Sequence, residues 1–240
     1  MKLKPILIGP LVGLIFILSG CGSSNAIPLD DQSLVWTGTR DNLFGTYETG
    51  PLSSSKEAEK ILKETFSVIV PSFFADSEKV IDQFDFLQSY DLEETTYSVT
   101  SAGNELTYER ISAYVTPKDK NRQVVRVNLQ IVYQVDTETK QVKTTHQELK
   151  MNTTPSETSS FYKALPTLTE RTAKFLHLSS GESTIDQVIK KYPEQDSGRE
   201  LEGITIVSSD KNQEPLKKNI QLYYDVYGYM TEWSAEIRYD

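Results

Sequence analysis

Hydrophobic residues repeat with two different periods along this chain, and the changes of period mark its elements. Over residues 56–70 the apolar positions Ala58, Ile61, Leu62, Phe66 and Ile69 are spaced three and four apart, with Ser55 placed to cap the first turn and Pro71 to end the last. That spacing predicts an amphipathic helix. A second helix is predicted over 77–90, on Val80, Ile81, Phe84 and Leu87. The period then falls to two. Tyr97 and Val99 open a strand, 106–116 follows the turn at Ala102, Gly103 and Asn104, and Val125, Val127, Leu129, Ile131, Tyr133 and Val135 alternate with Arg126, Asn128, Gln130 and Gln134. With a polar loop at 136–140 and a strand at 141–151, residues 95–151 read as a four-stranded antiparallel meander, wetted on one face and covered by the two helices on the other.

After a linker at 152–156 the helix-then-strand order starts again. Phe161, Leu165, Leu168, Phe175 and Leu176 mark helical turns, with Pro166 placed to kink or divide the element and Thr167 with Glu170 as a capping box. A shorter helix is predicted over 184–192, carrying Ile185, Val188 and Ile189 inward and stopping at Pro193. Strands follow at 203–208, 219–229 and 231–239, the last alternating Trp233, Ala235, Ile237 and Tyr239 with Glu232, Ser234, Glu236 and Arg238. The expected fold class is therefore α+β: two helix-pair plus antiparallel-sheet units, at 56–151 and 157–240, behind a flexible N-terminal tether. Between tether and first unit, residues 34–55 place Trp36, Phe44 and Tyr47 among Gly, Thr and Ser, the pattern of a short hairpin that packs on the body.

The N-terminus has a different logic. Lys2 and Lys4 precede an apolar stretch at 6–18, and Ser19 and Gly20 lead into Cys21, the three-part layout of a secretory signal in residues 1–20. Thirteen helical residues span roughly 20 Å, short of a hydrocarbon slab of about 30 Å, so a permanent span is disfavoured. Leu18, Ser19, Gly20 and Cys21 resemble the lipobox of bacterial lipoproteins. The resemblance implies a diacylglyceryl group on the Cys21 thiol, cleavage before it, and a membrane anchor on the extracytoplasmic side, with at least two acyl chains for durable attachment. Residues 22–33 then read as the tether. The second unit resembles the BamE/BLIP-like lipoprotein domains through Thr184, Ile185, Asp186, Gln187 and Val188, although Glu182 stands where that pattern has glycine. An NTF2-like curved sheet is the alternative for the first unit.

Charge narrows the function classes. The 240 residues carry 25 basic and 34 acidic side chains, a net charge of −9, which argues against a nucleic-acid binder that works by neutralising phosphates. Removal of 1–20 takes away two lysines and no acid, leaving 23 against 34 and a charge of −11. A body this acidic is repelled by anionic headgroups and is expected to stand off the bilayer. The single cysteine excludes an intramolecular disulfide and a multi-cysteine zinc site.

Candidate chemistry is sparse. The two histidines, His146 in a polar strand and His177 near a helix end, have no metal or triad spacing. No nucleophile elbow, phosphate-cradling loop or dinucleotide fingerprint occurs. Asp82 with Asp85, and Asp91 with Glu93 and Glu94, read as solvated acidic surface more readily than as a glycosidase pair. Asp210, Asn212 and Glu214 alternate in a loop without the glycine and distant glutamate of an EF-hand. No catalytic residue, metal site or cofactor is therefore expected. The suggestive feature is aromatic: Tyr223, Tyr227 and Tyr229 share one face of the predicted 219–229 strand, and with Trp36 they are the candidate surface for a protein or sugar partner. The expected function is that of a non-enzymatic binding or assembly lipoprotein of the cell envelope. The alternatives are a glycan or small-ligand receptor using the tyrosine face and, behind it, a carboxylate-dependent hydrolase.

Overall fold

The computed structural model of the protein describes residues 27–178, 184–209 and 215–239. Two short strands, β1 (Thr37–Thr39) and β2 (Tyr47–Glu48), precede helices α1 (Ser55–Phe66) and α2 (Ser72–Asp82). Four long strands follow: β3 (Asp91–Ala102), β4 (Glu105–Thr116), β5 (Asp119–Asp136) and β6 (Gln141–Thr153). The chain continues with α3 (Thr158–Phe175), the short α4 (Ile185–Ile189), β7 (Gly203–Ser208), β8 (Leu216–Tyr224) and β9 (Met230–Tyr239). The described strands form one nine-stranded sheet in the order β2-β3-β4-β5-β6-β9-β8-β7, with β1 paired to the start of β6.

This overturns the expected fold class of two helix-pair plus antiparallel-sheet units. The meander β3 to β6 does form, but β6 is not its free edge. β9 pairs with it antiparallel from His146 opposite Arg238 to Asn152 opposite Glu232, so the last strand of the chain closes the two expected sheets into one. Periodicity identifies a strand but not its neighbour, and an uncovered edge of backbone donors and acceptors is a template for pairing. The expected second helix pair is also reduced, because α4 spans only five residues.

Local chemistry explains the shifted boundaries. Ser67 turns left-handed at φ 58° and stops α1 one turn before the predicted end, while Arg40 Nη1 donates to the Phe66 carbonyl at 2.7 Å. Pro71 does not end α1 but sits at the N-cap of α2. α2 ends at Asp82, and Phe84 and Leu87 remain buried in the turns that follow. α3 runs through Pro166 without a break. β8 stops at Tyr224 because Asp225 Oδ1 accepts the Tyr227 and Tyr229 amides at 2.8 and 2.9 Å. Gly228 completes that turn at φ +73°, where a Cβ would stand 2.4 Å from the Asp196 carbonyl oxygen.

One face of the sheet carries the core. Leu106 and Tyr108 of β4, Val127 to Tyr133 at alternate positions of β5, Leu149 and Met151 of β6, Ile220 and Leu222 of β8, and Trp233, Ala235 and Ile237 of β9 are all buried. Each such large apolar side chain contributes roughly 1.5–3 kcal/mol. Phe74 of α2 stacks on Tyr108 at 4.5 Å, and Trp233 Nε1 donates to Thr169 of α3 at 3.1 Å. The helices also bind one another: Phe73 meets Phe175 edge-on, and Arg171 donates to the Gln83 carbonyl.

A strap precedes α1. Leu29–Leu34 form a 3-10 turn with Asp31 and Leu34 buried, so the last part of the expected 22–33 tether is packed rather than loose. The Leu34 carbonyl accepts Gln147 Nε2 at 2.6 Å, and Phe44 and Tyr47 set their rings edge-on to Phe66.

Candidate functional site: the open polar face of the sheet

Opposite the helices, alternate residues of β6, β9 and β8 form a second surface, and strand register arranges them in four rows. His146, Arg238 and Lys217 make the first; Glu148, Glu236 and Asn219 the second; Lys150, Ser234 and Gln221 the third; Asn152, Glu232 and Tyr223 the fourth. Cationic and anionic rows alternate. Glu148 and Glu236 stand directly opposite each other, an arrangement that costs stability unless cations intervene. Here they do.

Glu236 is the hub. His146 Nε2 lies 3.3 Å from its Oε2, Arg238 Nε donates to the same oxygen at 3.1 Å, and Asn219 Nδ2 donates to Oε1 at 2.7 Å. The hydrogen bond from His146 leads the effects that lower its pKa; burial opposes them, and Asn219 and Arg238 add to the lowering, which brings the value from 4.5 to about 2. Lys150 Nζ bridges Glu148 and Glu232 at 3.4 Å each. Burial works against its charge, but the two carboxylates outweigh it and raise its pKa. Asn152 donates to Glu232, and the Tyr223 hydroxyl donates to Gln221. Further along the same face, Asn128 donates to Glu109 at 3.0 Å. Only Ser234 and Glu236 in these rows are buried, the rest of the network remaining within reach of solvent.

Chemically this face offers fixed donors and acceptors. Its best-connected acid is held as an anion and its central lysine as a cation. Among the described residues no three or more His, Cys, Asp and Glu side chains are grouped to hold a metal.

The sequence candidates are dispersed. Tyr223 lies on the open face, but Tyr227 and Tyr229 belong to the turn after β8, so the three do not share a strand face; Tyr227 is 68% exposed. Trp36 is half-buried in the strap, edge-on to Tyr133 at 6.1 Å. His146 joins the Glu236 network. His177 Nδ1 lies 3.0 Å from Asp31, whose carboxylate also takes the buried Lys218 ammonium at 2.8 and 2.9 Å. Asp82, Asp85, Asp91, Glu93 and Glu94 are exposed. Cys21 and the loop residues Asp210, Asn212 and Glu214 lie outside the described residues. Sequence reasoning missed Glu236, Lys150 and Asn219 as a group. The alternation of Glu232, Ser234, Glu236 and Arg238 was its only trace, because nothing local reveals that β6 is their neighbour.

Set against protein-family models, curated proteins and solved structures, the chain matches none of them.

Proposed function

We propose that this protein is a lipid-anchored, non-enzymatic binding or assembly component on the extracytoplasmic side of a cell envelope, presenting the open face of its sheet to a partner. The observation that carries this reading is the face itself: four in-register rows of hydrogen-bonded polar side chains, opposite a face buried under helices. A polar lattice with ionised, oriented groups favours complementary recognition. The anchoring half of the reading rests on Leu18, Ser19, Gly20 and Cys21, which fit acylation of Cys21 after export. Asp31 lies ten positions beyond Cys21, so an anchor there leashes the body within about 35 Å of the bilayer.

A second reading uses the same face. Asn152, Asn219, Gln221 and Tyr223 supply the amides and the aromatic hydroxyl with which a sugar is gripped, which favours a glycan as partner.

Both halves meet in one experiment. A photocrosslinking residue replaces Gln221 on the open face or Lys163 on α3, in otherwise native protein and in a Cys21→Ala background, and membranes are irradiated. Expected are a defined adduct from position 221 only, membrane recovery of the parent, and release or lack of processing of the Cys21→Ala form. A sugar polymer in the adduct selects the glycan reading. Equal adducts from both positions sink the binding face, and processed, membrane-bound Cys21→Ala protein sinks the anchor.

A further inference from the structure

At the end of the open face the first row borders a cavity of about 410 Å³, lined by Gln134, Lys143, Thr145, His146, Arg238 and Tyr239. Two side chains of fixed positive charge, an imidazole, an amide and two hydroxyls line it, and among the described residues no carboxylate does. In a chain of charge −9 that composition is against the average. The cations are held in place, Lys143 by a ring of the cavity wall and Arg238 with His146 by Glu236 behind it. Lys143 Nζ sits 4.7 Å from the centre of the Tyr239 ring, a cation–π contact that fixes the ammonium against one wall. Arg238 engages Glu236 through Nε and Nη2, leaving Nη1 without a bond to that carboxylate, and His146 meets the same Glu236 oxygen through Nε2. An oriented guanidinium pays less entropy to capture an oxyanion than a free one does.

We infer that this cavity binds the phosphate group of a small phosphate ester, with Lys143, Arg238 and His146 around its oxygens and Gln134 donating to the rest. A tetrahedral oxyanion suits donors that arrive from β5, β6 and β9, whereas a planar carboxylate takes its bonds in one plane. A second cavity, of about 460 Å³, shares Gln134 and Lys143 with the first and adds Asn104, Asp136, Glu138 and Gln141. Its acids exclude a second anion and accept hydroxyl hydrogens, so the alcohol part of the ester belongs there. The inference rests on the reading of the open face as a binding surface, and it names the chemistry of what is bound.

The two histidines make the test direct. In the full-length protein the imidazole signals of His146 and His177 are assigned with His177→Gln, then followed during titration with glycerol phosphate, inorganic phosphate and glycerol at constant ionic strength. Expected is a saturable shift of His146 alone, tightest with glycerol phosphate and absent with glycerol. Arg238→Gln and Lys143→Gln should each weaken it about tenfold or more, the loss of one charge-assisted hydrogen bond, while Lys163→Gln leaves it unchanged. A parallel arm uses vesicles of phosphatidylcholine with and without phosphatidylglycerol. A His146 response to the charged vesicles that glycerol phosphate competes away assigns the phosphate to a headgroup, and a response to the free ester only assigns it to a soluble ligand. Equal movement of both histidines, or none, overturns the inference. The position-221 crosslink reports on the face independently, so an adduct there beside a silent His146 removes the phosphate pocket and leaves the binding face standing.

Discussion

Glu236 shows how one residue makes the open face self-consistent. Its side chain is 10% exposed and accepts from three neighbours, so solvent screens it little and its charge is held by the fold. A carboxylate whose pKa falls from 4.5 unfolded to about 2 folded adds stability that is complete above pH 4.5 and drains away as the pH falls through about 2. At most this amounts to about 3 kcal/mol. Glu236→Gln keeps the shape and removes the charge. Chemical denaturation of both proteins should therefore give a stability gap at pH 6 that closes as the pH is lowered toward 2. A gap that stays constant across that range means the carboxylate is not preferentially ionised in the folded state. Glu148, facing it across the strands, is a poorer target because Lys150 already divides itself between Glu148 and Glu232.

At the scale of elements, the strap is the feature that depends most on a distant residue. Lys218 points to the helix side of β8, in step with Ile220 and Leu222, and is 2% exposed. It is tolerated because Asp31 of the strap reaches it with both oxygens. Breaking such a pair from one side strands a buried charge, whereas replacing both partners with apolar side chains is close to neutral. Asp31→Asn should therefore cost about 3–5 kcal/mol of unfolding free energy, and Asp31→Leu with Lys218→Met should recover most of it. If the double variant is as unstable as the single, the strap is held by Leu34 and its neighbours instead. The same segment marks what was legible in the sequence. The first helix, the meander at 95–151 and the presence, though not the bounds, of the second helix followed from apolar spacing, since side chains report directly on which face is buried. The second helix runs over Ser72–Asp82 rather than 77–90 because Phe84 and Leu87 are buried from turns that mimic helical spacing. The strap did not, because Leu29, Asp30, Asp31, Gln32 and Ser33 have the composition of a tether and their order comes from a partner almost two hundred residues away. The clue lay in Lys218, a charge with the parity of a buried face. The turn at Asp225 to Tyr229 was also readable, in Gly228, yet the run of tyrosines with alternating neighbours imitates a strand straight through it. Of the candidate site, Tyr223 was legible as an aromatic on a polar face, but the rows around it were not, since each row is written in three separate stretches of sequence.

For the whole molecule, the seam between β6 and β9 decides whether the chain behaves as one body or two. Across it Leu149 faces Ala235 and Met151 faces Trp233, all buried, while on the helix side the Tyr90 hydroxyl donates to Glu157 at 2.7 Å and Phe73 packs on Phe175. A fragment of residues 157–240 would lose the partner of β9 and the counter-ion of Lys218 together, leaving an unpaired strand edge and an unmatched buried charge. One cooperative transition is therefore expected: calorimetric and van't Hoff enthalpies should agree, and the slowest amide exchange in β5, β6 and β9 should report a single free energy. Two resolved transitions, or a 157–240 fragment that folds by itself, would refute this. The consequence reaches the binding surface. Each of the four rows on the open face takes residues from both sides of the seam, so the face exists only when the seam is closed. A ligand held by Lys143, His146 and Arg238 binds across it and must raise the midpoint of the whole transition, not of one half, by mass action on the single folded state.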